Sequence, residues 1–454
     1  MRIAFVVNLF PAISETFILR QITGLLKRGH EVDIFAYGDP ADSTMHEDVD
    51  KYKLLERTCY LNTYASSPIK LVRLVKRIGL LITNFHKNPR AVLKSLNPLT
   101  FGKKAILLQV LNQIVPFLDK DPYNVIHSQY GPLGELGLLL RDTGVFRGNV
   151  VTSFRGYDIS SYVRSYGDDI YDDLFKRGDL FLCVSEHIKE KLINLGCDEG
   201  KIVVHRSGVD TKKYQFRPRI VERDGRIRIL TVARLSKKKG VEYGIHAVSK
   251  ALQKCQRIEY KIVGDGPLRD KLQSLISELR AGDSIQLLGW RSQDEVAELL
   301  QKSDILLAPS VTTEEGDEEG IPGVIMEAFA QGLPVVTTRH AGIPEVVQDG
   351  ESGFLVPERD MDGLSNRLSY LIERPELRVV MGCKGRKFVE EHYNIDRLND
   401  RLVRLYRQLL DGKLVNTNTD LIYDNLSSEL PTNQPSRPFS AQGLQRGKIT
   451  IEKC

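Results

Sequence analysis

Apolar residues fall along this chain in short runs separated by stretches of helical periodicity. Residues 3–7 (IAFVV) have the pattern of a buried strand. Residues 15–28 repeat apolar positions at Phe17, Ile18, Ile22, Leu25 and Leu26, the spacing of one helix face. Ser14 stands where an N-cap belongs, and Gly29 where the helix should stop. Residues 32–37 read as the next strand. Strand, helix and strand in that order predict a parallel pair with a right-handed crossover. The rhythm resumes with strand patterns at 125–128, 150–154, 180–184 and 202–205, and helical patterns near 135–141, 170–176 and 186–195. Residues 211–226 lose periodicity and gain charge, as a linker does. A second series then supplies strand patterns at 227–232, 260–263, 285–288, 305–308, 335–337 and 354–356. Helical patterns follow at 360–373, 376–390 and 395–410.

Two successive series of this kind predict an α/β protein of two doubly wound, Rossmann-like domains. Ligands of such sheets bind beyond the carboxyl ends of the strands, so the expected site is a cleft between two facing domains. The expected division is a first domain over 1–210, a linker over 211–226, a second domain over 227–390 and a closing helix over 391–411. Residues 412–454 are rich in Asn, Thr, Ser, Pro and Gln. They offer too little apolar area to offset ordering entropy, which predicts a disordered tail.

Composition changes this picture little. Of 454 residues, 41% are hydrophobic and 27% charged, which excludes wholesale disorder. No apolar run reaches the ~18–20 residues that cross a bilayer. The apolar stretch at 3–7 is shorter than the ~7–15-residue core of a signal peptide. These features predict a cytoplasmic protein. The six cysteines are scattered without C-x-x-C spacing, and the nine histidines show no H-x-x-x-H, so neither a disulfide framework nor a zinc site is expected. Cys183, within LFLCV, reads as core.

Charge adds more. The net charge is +5, but residues 57–118 hold ten Lys/Arg and no Asp or Glu, leaving the rest of the chain at −5. Within that segment, 68–85 (PIKLVRLVKRIGLLITNF) reads as a basic amphipathic helix, with Lys70, Arg73, Lys76 and Arg77 among Leu and Val. Residues 102–118 read as a second, more apolar one. An anionic membrane surface would attract such a segment, at about 1 kcal/mol for each basic residue near the leaflet. The alternative is a helical pair packed on the first domain with a solvated basic rim. No recognised nucleic-acid motif accompanies the charge, so nucleic acid is not an expected partner.

The richest stretch for chemistry is 309–328, PSVTTEEGDEEGIPGVIMEA. It follows a strand and runs into a helix starting near Pro322. Gly320 and Gly323 allow close approach to the backbone. The first-turn amides of that helix form a seat for phosphate, built from Gly320, Ile321, Pro322, Gly323 and Val324. Glu327, one turn in, is suited to accept both hydroxyls of a ribose diol, and Glu319 to reach a sugar hydroxyl. Glu314, Glu315 and Glu318 read as an acidic turn that favours the helix dipole.

Glu319 and Glu327 stand in an E-x(7)-E motif followed by AFAQGLPVVTT (328–338), AGIPE (341–345) and DGESGFLV (349–356). Together these strongly resemble the retaining GT-B glycosyltransferases of family 4. VARLSKKKG (232–240), VGDGPL (263–268) and SGVD (207–210) fit the same pattern. The resemblance covers residues 1–410 and is most specific over 227–357. The opening, Phe10-Pro11 with SETFI (14–18), is similar to the exopolysaccharide, colanic-acid-type branch.

That resemblance implies a hexosyl transfer from a nucleotide-sugar donor to a glycan or lipid-linked acceptor, with retention, in exopolysaccharide or cell-surface polysaccharide synthesis. It implies no cofactor beyond the nucleotide-diphosphate sugar itself. Arg234 and Lys239 would hold the donor diphosphate, with Lys237 and Lys238 as solvated neighbours. Gly264, and Trp290 with Arg291, would lie about the nucleotide; the alternative place for Trp290 is core. Ser14, Glu15 and His127 would fall on the acceptor side, although His127 also suits a satisfied strand-end histidine. Where the family commonly reads Phe-His-Gly, this chain reads Phe154-Arg155-Gly156-Tyr157-Asp158. Arg155 cannot act as a base, and is expected to stabilise a phosphate oxygen. With Asp158 and Glu319 it completes the expected catalytic set. In the same-face attack that the family's chemistry resembles, the departing phosphate takes the acceptor's proton, so no protein base is obligatory.

Gly264-Asp265-Gly266 lacks the third glycine of a dinucleotide fingerprint, Arg269 standing there. The D-x-D triplets at 119–121 and 360–362 lie in the wrong contexts for a metal site, and no metal is expected. A nucleotide-sugar epimerase and a non-catalytic GT-B binding subunit remain open as alternatives.

Overall fold

The computed structural model describes residues 1–12, 15–40, 46–61, 70–217 and 225–413. Ser14 and residues 414–454 fall outside these, so the N-cap and tail expectations do too. The chain forms two compact units. One comprises residues 1–207 plus the helix from Ile395, and the other residues 208–394.

The first unit runs β1 (Arg2–Leu9), α1 (Thr16–Lys27), β2 (Glu31–Gly38), α2 (Glu47–Lys51) and β3 (Thr58–Tyr60). Four helices follow, α3 (Lys70–Asn84), α4 (Pro89–Ser95), α5 (Pro98–Ile106) and α6 (Gln109–Ile114). The series continues with β4 (Val125–Gln129), α7 (Gly131–Thr143), β5 (Asn149–Phe154), α8 (Ser161–Tyr166), α9 (Asp172–Arg177), β6 (Leu180–Cys183), α10 (Glu186–Asn194) and β7 (Ile202–Val204). The sheet order is β3-β2-β1-β4-β5-β6-β7, all parallel. Its strands are nearly continuous apolar runs because helices cover both faces. Ile3, Phe5 and Val7 face one core and Ala4 and Val6 the other, all fully buried.

The second unit runs β8 (Ile227–Val232), α11 (Val241–Leu252), β9 (Ile258–Val263), α12 (Arg269–Glu278), β10 (Ile285–Gly289), α13 (Gln293–Lys302), β11 (Ile305–Ala308), α14 (Gly323–Ala330), β12 (Val335–Thr338), β13 (Gly353–Val356), α15 (Met361–Ile372) and α16 (Pro375–His392). Its order is β10-β9-β8-β11-β12-β13, again all parallel. In both sheets the strand order reverses beside the first strand of the series, between β1 and β4 and between β8 and β11. These switch points are where doubly wound sheets take ligands.

Two expectations need correction, and a third becomes specific. The stretch expected as a linker packs into the second unit as far as it is described: Thr211 and Tyr214 are buried, and Phe216 fills the space beside Gly332. The helix expected over 102–118 is broken at Gly102 and again at Leu108, which has φ 52. Beyond that break Val110, Leu111 and Ile114 are core. Finally, α17 (Ile395–Leu410) closes the first unit, although it follows the second in sequence. Leu402 and Tyr406 enter the core formed by β1 and α1, and Asn399 packs against Gly24, where a Cβ would leave no room.

Candidate functional site

At the second switch point two loops converge. The loop after β8 carries Arg234 and the lysine run 237–239, and the loop after β11 carries the acidic stretch. Gly240 permits their approach, and Gly264, on the loop after β9, permits that loop to meet the one after β8. A Cβ on Gly240 (φ +60) would stand 1.9 Å from the Pro309 carbonyl oxygen, and one on Gly264 (φ +127) 1.9 Å from that of Ala233. Any other residue would push these loops apart. Gly264 therefore acts by permitting close backbone contact, and its amide donates to the Gly289 carbonyl at 2.9 Å.

Lys239 Nζ stands 2.8 Å from Glu319 Oε2, and Lys238 Nζ 3.5 Å from Oε1 and 3.1 Å from Asp317. Lys238 is therefore part of the cluster and not a solvated bystander; Lys237 pairs with exposed Glu315. Burial would raise the Glu319 pKa, but Lys239 and Lys238 outweigh it and bring it down to about 2. Arg234 is exposed and pairs with no acidic side chain among the described residues. Gly323 opens α14 with nothing within 4 Å of the position of a Cβ, and Pro322 is the N-cap. Gly320, Ile321 and Val324 are half-buried around it, and half-buried Glu327 lies about one turn into the helix. Trp290 is 52% exposed after β10, which removes the core reading, and Arg291 donates to its carbonyl at 2.8 Å.

His340 and Glu358 complete this loop's support. The Glu319 amide donates to His340 Nε2 at 3.0 Å, and His340 Nδ1 stands 2.6 Å from Glu358 Oε1. Glu358 also accepts the Thr312 amide at 2.8 Å and its hydroxyl at 3.0 Å. Burial would raise the Glu358 pKa, but these bonds hold it below the usual carboxylate range.

The polar residues at the first switch point are placed differently. His127 is fully buried, with Nε2 2.7 Å from the Ser153 hydroxyl and Nδ1 2.6 Å from the Tyr406 hydroxyl of α17. Burial, with Arg155 and His205 nearby, pushes its pKa well down. It is a satisfied core histidine and not an acceptor contact. Asp158, also expected to be catalytic, is fully buried. Its carboxylate accepts the amides of Gly131 (3.0 Å), Arg155 (3.0 Å) and Gly156 (2.9 Å), so it shapes the loop after β5 and seats α7. Burial still leaves its pKa raised. Arg155 gives Nη2 and Nε to Gln129 Oε1 at 2.6 and 3.2 Å and Nη1 to Ser207 at 3.2 Å, and lies 4.0 Å over the Phe17 ring. Its fork is spent inside the unit, which replaces the expectation that it meets a phosphate. Glu15 differs. Oε1 accepts the Tyr130 hydroxyl at 2.7 Å, Oε2 is buried without a partner among the described residues, and burial raises the carboxyl pKa. Tyr130 itself is held at φ 92, a strained conformation at the switch point.

Residues 212–388 match the family described as Glycosyl transferases group 1, and residues 14–213 match Glycosyltransferase Family 4. The chain is 36% identical over 417 residues to WcaL of Salmonella typhimurium, a glycosyltransferase assigned to colanic acid biosynthesis, covering 90% of this chain and 100% of that one. It is 34% identical over 397 residues to the amylovoran biosynthesis glycosyltransferase AmsK of Erwinia amylovora, covering 87% and 96%. The chain belongs to the GT-B glycosyltransferases of the group 1/family 4 type. Solved structures agree on the fold: Anabaena HepE, in complex with UDP and glucose, superposes with a TM-score of 0.66 at 17% identity, over 89% of this chain and 98% of that one. Among the described residues of this glycosyltransferase, no helix is long and apolar enough to cross a membrane.

Sequence reasoning missed His340, Glu358 and Lys238 in the second unit, and Tyr130 in the first. Tyr130, His340 and Glu358 each stand within two residues of a strand's carboxyl end, where that position alone was the available signal.

Proposed function

We propose that this glycosyltransferase moves a hexose, with retention, from a nucleotide-diphosphate sugar to a lipid-linked saccharide during exopolysaccharide synthesis. The observation that carries the reading is the cluster at the second switch point: exposed Arg234, Lys239 paired to Glu319, and the open first turn of α14. Arg234 and Lys239 neutralise the diphosphate, and the amides of Gly320, Ile321, Gly323 and Val324 donate to its oxygens. Glu327 takes the ribose diol, and Trp290 and Arg291 flank the base. Glu319 takes a sugar hydroxyl once phosphate draws Lys239 away. As the glycosidic bond breaks, its electron pair goes to the leaving phosphate oxygen, where Arg234 and Lys239 stabilise the charge. That phosphate receives the acceptor hydroxyl's proton as the new bond forms on the same face. The positive charge this needs comes from side chains, so the reading requires no metal. Relatives named for colanic acid and amylovoran biosynthesis support the pathway, and HepE with UDP and glucose supports the donor class.

The acceptor side lies in the first unit, where Glu15 Oε2, without a partner among the described residues, suits an acceptor hydroxyl. Helix α3 favours a lipid-linked acceptor at an anionic leaflet. Leu71, Val75, Ile78 and Ile82 recur along one face and are 70, 61, 43 and 72% exposed, while Leu80 and Leu81 pack inward. Lys76 is exposed beside that stripe. An outward apolar stripe edged with cations is the form of an interfacial helix.

Two measurements test the reading. A thermal-shift panel of UDP- and GDP-sugars should show stabilisation of about 2.7 kcal/mol by the true donor at 100 times its dissociation constant. If no member of a complete panel binds, the donor reading fails. In low-salt flotation, wild type should rise with anionic vesicles, and a variant with Arg73, Lys76 and Arg77 reversed to Glu should not. Equal binding to neutral vesicles would leave α3 as helical packing only.

A further inference from the structure

The acidic loop between β11 and α14 is long, and its donor-facing carboxylate is held by lysines that the donor itself must recruit. Something else has to keep Glu319 in place when that happens. The backbone supplies it. The Glu319 amide is tied to His340 Nε2 at 3.0 Å, and His340 is fully buried on the turn after β12, off the loop. His340 is held in turn by Glu358, at 2.6 Å, on the turn after β13. Glu358 also grips the start of the loop, taking the amide and hydroxyl of Thr312 at 2.8 and 3.0 Å. One His–Glu pair rooted in the sheet thus pins the loop at two places, Thr312 and Glu319.

The donor identities fix the ring's tautomer. An amide N–H can only donate, so His340 Nε2 carries the lone pair and the ring proton sits on Nδ1, facing the carboxylate. Further support comes from β12, where the Thr337 hydroxyl donates to the Ala308 carbonyl at 2.6 Å and the Thr338 hydroxyl to that of Ser310. The loop's root and its far end are both referenced to strands, while its middle closes on itself through Thr313 and Asp317 at 3.0–3.1 Å.

We infer that His340, oriented by Glu358, is a positioning residue that sets Glu319 against the donor sugar independently of the lysines. This rests on the reading of Glu319 as the carboxylate that takes a sugar hydroxyl. The inference separates two functions of the site: Arg234 and Lys239 hold the diphosphate, and the His340–Glu358 pair places the sugar end.

The test compares full-length wild type with His340→Ala, His340→Phe and His340→Gln, using whichever of UDP-glucose, UDP-galactose, UDP-N-acetylglucosamine, GDP-mannose or GDP-fucose the wild type hydrolyses. Turnover is read from released nucleoside diphosphate, and binding of that diphosphate alone by calorimetry. Misplacement of a reacting group by about 1 Å costs on the order of 100-fold. His340→Ala and His340→Phe should therefore lose about 10- to 100-fold in kcat, with diphosphate affinity within about 2-fold of wild type. His340→Gln, whose carbonyl can accept the Glu319 amide, should recover most of the loss. If Phe performs as well as Gln, the ring only fills space and the inference is wrong. If diphosphate affinity falls in parallel with kcat, the ring supports the whole loop and the separation of functions is wrong. If wild type binds no nucleoside diphosphate, the donor reading itself fails, a result recognisable before any variant is made.

Discussion

The carboxyl ends of the two sheets are built from the same strand-and-helix repeat and end in opposite ways. At the first, His127, Gln129, Ser153, Arg155 and Asp158 satisfy one another, buried or nearly so. At the second, Arg234 lies exposed, Gly323 opens onto free space, Trp290 projects, and the Lys239–Glu319 pair keeps about a fifth and an eighth of its side chains exposed. Polar residues at a switch point are thus not in themselves a binding site. What distinguishes one is polar capacity left unspent. By that measure the first sheet's polar end is mostly architecture, with Glu15 Oε2, Thr152 Oγ1 and His205 Nδ1 as unspent atoms among the described residues, and the second sheet's is prepared for an anionic ligand.

The contrast can be broken most severely at Glu327. Glu327→Ala should remove a charged hydrogen-bonding partner worth about 2–3 kcal/mol, a loss of about 30- to 150-fold in donor affinity by calorimetry. Unchanged nucleotide affinity would take the ribose contact out of the site. Next, Arg155→Ala should leave Gln129 and Ser207 short of a charged donor. We expect about 1.5–3 kcal/mol off the stability of the first unit and unchanged donor affinity. Calorimetric unfolding of a two-unit protein separates the two transitions, and the fluorescence of Trp290, the one tryptophan, reports the second unit. A loss of donor affinity in this variant would mean that Arg155 does reach the phosphates.

The smallest effect is one of pH. His127 and His205 are buried neutral in the first unit, the former well below its usual pKa and the latter down to about 3. Burial is the leading cause in both. Their unfolded pKa is near 6.5, so below that value the unfolded chain binds more protons, and stability falls as pH drops through 6.5 toward the folded values. Between pH 7.5 and 6.0 the first unit should lose about 1–2 kcal/mol. The Glu319 pair behaves otherwise: its stabilisation is complete above about 4.5 and is lost only as pH falls toward about 2. Over the same interval this pair contributes no pH dependence to the second unit. Equal acid sensitivity of the two transitions would erase the distinction drawn here.

Periodicity made most strands and both parallel series legible, because sheets covered on both faces require continuous apolar runs. Strand β3 was missed because three residues, Thr58–Tyr60, carry no period. The break at Gly102 was missed because a glycine reads the same whether a helix passes through it or stops. Motif spacing located Glu319, Glu327, Arg234 and Lys239 and could not reveal who pairs with them. His127 and Asp158 have the right chemistry at strand ends, and only three dimensions show that Ser153, Tyr406 and three amides have already claimed them. Trp290 posed the reverse problem: an aromatic residue after an edge strand suits core and surface alike until its neighbours are placed.

Helix α17 has a consequence for how the molecule is made. It supplies Tyr406 to His127, Arg401 to the Val204 carbonyl at 2.7 Å, and Leu402 to the core around β1. The ribosome delivers these residues after the whole second unit. A nascent chain that has released residues 1–207 therefore holds a sheet with one flank uncovered, and it waits for some two hundred more residues. The second unit can close during synthesis, whereas the first, although begun earlier, is completed only once α17 has emerged. A premature stop before Ile395 would accordingly spare the later unit and leave the earlier one to the cell's chaperones and proteases.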